Sequence, residues 1–258
     1  MTHTLERKVQ ERTEQLGAAR QKLALSERLA SLGQLAATVA HEINNPLAGV
    51  LNLSMLLRKM LREEGVPPDR LAEFRGFLEQ VSNETARAGR IVADLLSFAR
   101  QSGPVAGRAD LNAVVHQTLA ALNHRLEGSG IRVALQLADE LPEARGDSAQ
   151  IQQVVMNLVV NAVEAMPQGG VLTIRTWADA TGPGINLEVE DQGIGIAEDH
   201  LERVFDPFFT TKELGKGVGL GLAVAYGIVQ AHNGQIEVTS RAGCGATFHV
   251  QLPVAGRR

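Results

Sequence analysis

The residue of this 258-residue chain that is best placed for chemistry is His41, which begins the run His-Glu-Ile-Asn-Asn-Pro-Leu. Around it, apolar or small residues recur in steps of four and three, at positions 25, 29, 32, 36, 39, 43, 46, 50, 53, 57 and 60. This spacing predicts an amphipathic helix with a heptad seam. Because two residues turn a helix by about 200°, His41 points away from the seam that contains Ile43. A neutral imidazole held in water can act as a nucleophile.

Asn45 follows His41 by one helical turn and shares its face. Two other interpretations of His41 are open from the sequence. A lone histidine in a helix is most often an ordinary surface or core residue. A zinc site of the His-Glu-x-x-His type would need a second histidine at position 45, and Asn45 is a poor imidazole replacement, which argues against a metalloprotease.

The composition of the chain argues against some classes of function. The chain is 44% hydrophobic, which is sufficient for real cores, and its net charge of −4 comes from intermixed acidic and basic residues. With one Trp and one Tyr, a nucleic-acid surface is not expected. The single cysteine, Cys244, fits a reducing compartment. We find no signal peptide or membrane segment in this chain, and we expect a cytoplasmic protein or the cytoplasmic part of a membrane-anchored sensor.

The N-terminal half predicts paired helices. Residues 1–25 carry an earlier seam that slips by one position, as in a coiled-coil connector. A helix from about residue 5 to residue 61 would be roughly 85 Å long and needs a partner, so a parallel homodimer is expected. Gly65, Pro67 and Pro68 break the helix, and a second one begins near Arg70. Its seam is Phe74, Leu78, Val81, Thr85, Ala88, Val92, Leu95 and Ala99.

Two such hairpins make a four-helix bundle over residues 26–101. Residues 102–109 are the predicted linker to a second domain, residues 110–258, with mixed α and β patterns. Strands are predicted at 131–137, 171–178, 185–190, 235–240 and 247–252, and helices at 111–126, 148–166 and 219–232. The fold class is therefore α+β, a helical hairpin followed by an α/β sandwich with helices over a sheet.

Four motifs in the second domain have a nucleotide-binding rationale. Asn157 and Asn161 are one helical turn apart, and their amide oxygens are suitable ligands for Mg²⁺. Asp191, after a predicted strand, could accept a hydrogen bond from the exocyclic amine of adenine, while Gly193 and Gly195 let the backbone approach the base. Taken alone, an Asn pair is usually capping or surface, and Asp-x-Gly-x-Gly is usually a turn.

The remaining motifs are a phenylalanine cluster and a glycine-rich segment. Phe208 lies in the cluster, for which core packing is the ordinary explanation. The segment that follows suits a mobile lid leading into a helix whose amides face phosphate; its candidates are Lys212, Lys216, Gly217, Gly219 and Gly221. It is not a Walker loop, because no Gly-Lys-Ser/Thr closes it. Thr247, entering the last strand, could bring a hydroxyl near the base.

In this order, the motifs resemble those of the sensor histidine kinases of two-component signalling, from Ser26 to Pro253. Residues 41–47 look like the H box, 157–161 the N box, 191–195 the first G box, 205–209 the F box and 217–221 the second G box. Details at residues 41–47 and 161–167 resemble the nitrogen-regulation-like subgroup. The run at residues 11–16 is similar to connectors that enter from a sensor domain upstream.

The resemblance implies a dimerisation and phosphotransfer hairpin followed by a Bergerat ATP-binding domain. It implies that ATP phosphorylates His41 while Glu42 takes or holds the ring's other proton. Asn161, aided by Asn157, would hold Mg²⁺; Asp191 would read adenine; and Lys212 or Lys216 would neutralise phosphate charge. The phosphoryl group would pass to the receiver domain of a separate response regulator.

The resemblance carries one further role and one departure. Asn45 matches the family position that orients water for dephosphorylating the regulator. Many relatives carry Lys three residues after the second N-box Asn, where this chain has Glu164. That departure shifts the expected phosphate contacts to the lid.

Two other functions remain as rivals. ATPases of the wider Bergerat superfamily hydrolyse through a Glu four residues before the Mg²⁺-binding Asn, and this position is Asn157 here. A non-catalytic scaffold that binds nucleotide or partner helices is the other rival, and the intact acceptor and ATP motifs argue against it.

Overall fold

The computed structural model describes residues 36–61, 65–100, 107–179, 182, 184–212 and 219–256. The predicted connector at 1–25, most of the predicted linker, and the candidates Lys216 and Gly217 lie outside these residues. The described parts belong to two compact units: the first holds the described residues up to 100 together with Lys212, and the larger second one holds the other described residues from 107 onward. Within the described residues, no helix combines the length and the apolar character that crossing a membrane requires.

The first unit is a hairpin of two helices, α1 (Ala36–Met60) and α2 (Leu71–Arg100), with a 3₁₀ turn at Pro68–Arg70 between them. The predicted seam of α1 packs as expected: Ile43, Val50, Leu53 and Leu57 are half-buried, and Pro46 and Met60 are buried. Helix α1 continues through Pro46. The predicted seam therefore faces another helix, and within one chain that helix is α2.

The seam of α2 differs in part from the prediction. Phe74, Val81 and Ala88 are half-buried, but Leu78, Thr85 and Val92 are exposed. The neighbouring helical positions on the opposite side of Phe74, Val81 and Ala88 are less exposed: Phe77, Glu84 and Arg87 are half-buried, and Ile91 is buried. The apolar face of α2 is wider than the contact that a single hairpin provides, as is usual for a helix with two neighbours. The predicted positions 78, 85 and 92 therefore remain uncovered in one chain.

The second unit is built on a five-stranded sheet of order β2-β4-β5-β7-β6. The strands are β2 (Ile131–Leu137), β4 (Gly170–Ala178), β5 (Gly184–Asp191), β6 (Gln235–Ser240) and β7 (Ala246–Pro253). The pair β2 and β4 is parallel, and the other pairs are antiparallel. All five were predicted to within one residue at each end.

Three long helices pack on this sheet: α3 (Leu111–Gly128), α4 (Ser148–Ala165) and α6 (Gly221–Ala231). Helix α4 lies between the other two. Side chains alternate along the strands, so that Leu172 and Ile174 of β4 and Phe248 and Val250 of β7 are buried in the core. On the alternate positions, residues such as Arg175 and His249 are half-buried. The α/β sandwich prediction is confirmed.

Three short elements were not predicted. Strands β1 (Arg108–Ala109) and β3 (Ala144–Arg145) form a separate two-stranded sheet, and α5 (Glu198–Leu201) is a single turn. Elements of two to four residues bury too few side chains to leave a periodic pattern in a sequence.

Helix α4 begins with a tightly held N-terminus. Asp147 is its N-cap and accepts hydrogen bonds from the amides of Ala149 and Gln150. The backbone N–H of Asp147 donates to Nε2 of His232, whose Nδ1 bonds the carbonyl of Ile228. The buried His232 ring therefore joins the end of α6 to the start of α4. This fixes the helix that carries Asn157 and Asn161 to the helix that begins at Gly221.

Candidate functional site

His41 is exposed on α1, as its position in the heptad predicts. The amide nitrogen Nδ2 of Asn45 lies 3.2 Å from its ring nitrogen Nδ1. The structure therefore brings two of the three predicted residues of this helix into contact. Glu42 lies between them in the helix, and its role stays a prediction.

In the second unit, the predicted asparagines lie on one stripe of α4. The residues of this stripe that remain accessible are Gln153, Asn157, Val160, Asn161 and Glu164. The opposite face, from Ile151 to Val163, is buried in the core. The amphipathic pattern of α4 thus presents polar side chains in a row.

Asn157 is held by two hydrogen bonds. Its Nδ2 donates to the carbonyl of Gly221 at 2.8 Å, and its Oδ1 accepts from Nε2 of Gln153 at 3.1 Å. The amide therefore ties α4 to the first residue of α6, and its oxygen keeps one lone pair for a cation. Asn161 is half-buried on the same stripe. These neutral oxygens are of the kind that Mg²⁺ accepts beside phosphate and water.

Asp191 ends β5 and is buried, with 3% of its surface exposed. Its Oδ1 accepts a hydrogen bond from the amide of Gly193 at 2.8 Å. Burial raises the pKa of Asp191, and the hydrogen bonds from the backbone N–H groups of Gly193 and Ala246 partly oppose that shift. A buried carboxylate with a free lone pair can select a ligand that donates a hydrogen bond.

The glycines around Asp191 are required by close backbone contacts. A Cβ on Gly193 would collide with the carbonyl of Ala165 at the end of α4. Gly195 has a φ of +67°, and a Cβ there would collide with the carbonyl of Arg241. The amide of Ile194 also donates to the Ala165 carbonyl at 3.0 Å. The loop after β5 is therefore fastened to the end of α4 that carries Glu164.

Thr247 does not reach Asp191. It alternates with the buried residues Ala246 and Phe248 along β7, and it pairs with Glu190 rather than with Asp191. The preceding residue, Ala246, is the one that contacts the Asp191 carboxylate, through its backbone N–H. Strand alternation, read from the buried Phe248, would have placed Thr247 on the other face of the sheet.

Ser240 was also missed. Its hydroxyl donates to the carbonyl of Gly245 at 2.6 Å and accepts from the amide of Ile196 at 2.8 Å. It thereby joins the turn before β7 to the loop that contains Gly193 and Gly195. A single serine at a strand end gives no sequence signal for such a role.

A hydrogen bond joins Phe208 to Gly219, two residues that lie on either side of residues 213–218 in the sequence. The amide of Phe208 donates to the carbonyl of Gly219 at 2.9 Å. Both residues have positive φ, +66° for Phe208 and +70° for Gly219. A bulky residue in this conformation costs on the order of 1–3 kcal/mol and requires support from its surroundings. Lys212 lies half-buried just before residues 213–218.

Gly221 differs from the other glycines of the motif. The nearest neighbour of a Cβ there would be Cγ of Asn157 at 3.8 Å, an ordinary contact. Helix α6 begins at Gly221, two residues after its predicted start. The contact of Gly221 with Asn157 is made by its backbone carbonyl and does not depend on the missing side chain.

Two family models match the chain. Residues 31–104 match the His Kinase A (phospho-acceptor) domain, and residues 146–256 match the histidine kinase-, DNA gyrase B- and HSP90-like ATPase family. The two matches contain His41 and the Asn157, Asn161 and Asp191 group respectively.

Curated relatives include sensor histidine kinase ZraS of Escherichia coli strain K12, 36% identical over 88% of this chain. AtoS, a signal transduction histidine-protein kinase of the same strain, is 34% identical over 90% of this chain. This chain spans 47% of the length of ZraS and 36% of that of AtoS. The relatives are therefore about twice as long or longer.

Solved structures are similar as well. The histidine kinase ThkA, in complex with the response regulator protein TrrA, has a TM-score of 0.76 and 26% identity, covering 93% of this chain and 67% of that one. Full-length ShkA in complex with AMPPNP has a TM-score of 0.62 and 27% identity, covering 87% of this chain and 46% of that one.

Proposed function

Because this chain belongs to the sensor histidine kinases of two-component signalling, we propose that it transfers the γ-phosphoryl group of ATP to His41. The phosphoryl group then passes to an aspartate of a separate response regulator. The observation that carries the proposal is the exposed His41 ring with its partner Asn45, in a domain matched as a phospho-acceptor.

The nucleotide site is proposed on the second unit. Asp191 accepts a hydrogen bond from the adenine amine, and Gly193 and Gly195 permit the base to lie against the backbone. Asn161, with the remaining lone pair of Asn157, would hold Mg²⁺. That ion would neutralise charge on the phosphate oxygens when bound. Lys212, Lys216 and the glycine motif at 217–221 remain the predicted contacts of the phosphates.

In the transfer step, a lone pair of the neutral His41 ring attacks the γ-phosphorus and the bond to the β-γ bridging oxygen breaks. ADP leaves with that oxygen, and Glu42 accepts or holds the proton on the other ring nitrogen. A second in-line attack, by a regulator carboxylate, returns the imidazole to its neutral form.

The proposed assembly is a homodimer. Leu47, Leu51 and Met55 lie one turn apart on α1 and are about half exposed. On α2, Leu78 and Val92 are similarly exposed. A second hairpin would cover these side chains and form a four-helix bundle. An upstream sensor domain is proposed from the connector-like sequence of residues 1–25.

The test is incubation with γ-labelled ATP and Mg²⁺, followed by acid and base treatment. Acid-labile, base-stable label on the protein that is lost in His41→Gln supports the kinase. Release of free phosphate without protein label would instead support a Bergerat-type ATPase, and neither product would support a scaffold. His116→Gln, at another exposed histidine, is the matched control and should leave the labelling unchanged.

We also propose that Asn45 supports dephosphorylation of the regulator, since its amide lies beside the acceptor ring. The expected result for Asn45→Ala is loss of regulator dephosphorylation. Unchanged dephosphorylation would contradict this role.

A further inference from the structure

Glu164 is an unexpected neighbour for a triphosphate. It continues the accessible stripe of α4 that contains Asn157 and Asn161, one turn beyond the latter. Asn157 of that stripe bonds the carbonyl of Gly221, and the helix end just after Glu164 accepts a hydrogen bond from the amide of Ile194 in the Asp-x-Gly-x-Gly motif. A carboxylate in this row would repel phosphate unless a cation compensates its charge.

Arg125 supplies that cation. It is in the last turn of α3, and its Nη2 donates to Oε1 of Glu164 at 2.7 Å. The hydrogen bond engages one nitrogen of the guanidinium, so that Nε and Nη1 keep N–H groups for another acceptor. A guanidinium is planar and well suited to phosphate oxygens.

Stability alone gives little reason for this ion pair. Its side chains are 38% and 33% exposed, and exposed pairs contribute little to folding because water and salt screen them. The pair does have a clear positional effect, because it links two packed helices and fixes the charge of Arg125 at Glu164, one helical turn beyond Asn161.

We propose that Arg125, oriented by Glu164, contacts the β- or γ-phosphate of the bound nucleotide. This inference rests on the proposed function, because it concerns the same site. It places a phosphate-binding cation on a packed helix, in addition to the lysines at 212 and 216. The Arg125 and Glu164 pair thereby takes the place of a single lysine on α4.

The test is competition binding with AMPPNP, ADP and AMP in the presence of Mg²⁺. For Arg125→Ala we expect affinity for AMPPNP and ADP to fall about tenfold, because a charge-assisted hydrogen bond is lost, while affinity for AMP changes less than about twofold. Arg125→Lys should recover part of the loss. In the exchanged pair, Arg125→Glu with Glu164→Arg, a cation returns to the stripe and most of the AMPPNP affinity should return.

Arg108→Ala is the matched control. Arg108 also pairs with a distant glutamate, Glu143, at 3.2 Å and with similar exposure, and neither is a predicted site residue. It should leave all three affinities unchanged. If Arg125→Ala is poorly folded, Arg125→Gln serves instead, since it keeps a polar side chain of similar reach.

The result that would overturn the inference is an unchanged ratio of AMPPNP to AMP affinity in Arg125→Ala, with only a lower melting temperature. The pair would then be a brace between helices. Failure of the wild-type chain to bind AMPPNP would overturn this inference together with the nucleotide site. Binding of AMPPNP without labelling of His41 would overturn the kinase proposal while the affinity ratio still decides the role of Arg125.

Discussion

Nδ2 of Asn45 lies 3.2 Å from Nδ1 of His41, and both side chains are exposed on the same face of α1. An amide nitrogen can only donate, so Nδ1 accepts and the neutral ring carries its proton on Nε2. In this arrangement neither ring nitrogen presents a free lone pair. If the Asn45 amide is rotated by 180°, its oxygen faces Nδ1 and can only accept a hydrogen bond. The neutral ring then carries its hydrogen on Nδ1, and Nε2 presents a lone pair.

The first prediction concerns this tautomer. In Asn45→Asp the side chain can only accept from the ring, so the form with hydrogen on Nδ1 should become dominant. We expect the initial rate of His41 phosphorylation to rise several-fold, as ~1 kcal/mol of tautomer bias allows. Nitrogen chemical shifts of His41 and the initial labelling rate measure the two effects. Equal tautomer populations and rates in the variant and the wild type would refute the coupling.

The second prediction separates stability from binding at Asp191. Because burial raises the pKa of Asp191, the folded state binds a proton more readily than the unfolded chain. The free energy of unfolding therefore falls as pH rises from the ordinary aspartate pKa through the raised one. Asp191→Asn removes the titrating group and with it this pH-dependent loss of stability. The free energy of unfolding of the variant minus that of wild type should therefore be larger at pH 7 than at pH 4.

The same variant should lose nucleotide. An amide that directs N–H at the adenine amine replaces an acceptor with a donor, and we expect at least a tenfold weaker affinity for ATP. Melting temperatures at the two pH values and titration calorimetry measure the two effects. A variant that binds ATP as tightly as wild type would remove Asp191 from the site.

The third prediction distinguishes two glycines of one motif. Gly219→Ala places a Cβ 2.5 Å from the carbonyl carbon of Phe208 in a residue with φ of +70°, and it should cost about 1–3 kcal/mol of unfolding free energy. Gly221→Ala meets only ordinary contacts at the first residue of α6 and should be neutral or slightly stabilising. Urea denaturation gives both values. Equal costs would contradict the geometry described at these positions.

The fourth prediction concerns the exposed apolar stripe of α1. Leu51 is 58% exposed in the single hairpin, and Leu51→Glu should shift a dimer towards monomer because a second hairpin would have to bury the charge. Asn52→Glu, on the face that carries His41, is the control and should leave association unchanged. Sedimentation velocity over a range of concentrations tests both. A Leu51→Glu dimer as stable as wild type would place the interface elsewhere.

Much of the fold could be predicted because its elements are long and regularly patterned. The α1 seam and the five strands of the sheet follow directly from apolar periodicity. The α2 seam was only partly predicted, because spacing shows which residues are apolar but not which of two neighbouring helices covers each one. Leu78 and Val92 share the stripe with Phe74 yet differ from it in exposure.

The candidate site, like the fold, could be predicted only in part from the sequence. Asp191, Gly193 and Gly195 could be identified because a local motif holds them together. The contacts of Ala246 and Arg125 could not be predicted, because Ala246 bonds Asp191 through its backbone N–H and Arg125 bonds Glu164 in an ion pair between helices. Such contacts depend on three-dimensional packing and leave no local spacing. The role of Thr247 stays a prediction, and the alternation of side chains along β7 pairs this residue with Glu190 rather than with Asp191.

The central claim is that His41 receives the γ-phosphoryl group of ATP. Its most direct test is mass spectrometry at neutral pH of the protein after incubation with Mg²⁺ and ATP, with fragmentation of the peptide that contains residues 41–47. The account predicts one phosphate on His41, at a lower occupancy in Asp191→Asn protein incubated with the same concentration of ATP. Phosphate on another residue, or an unmodified His41 in protein that binds and consumes ATP, would contradict it.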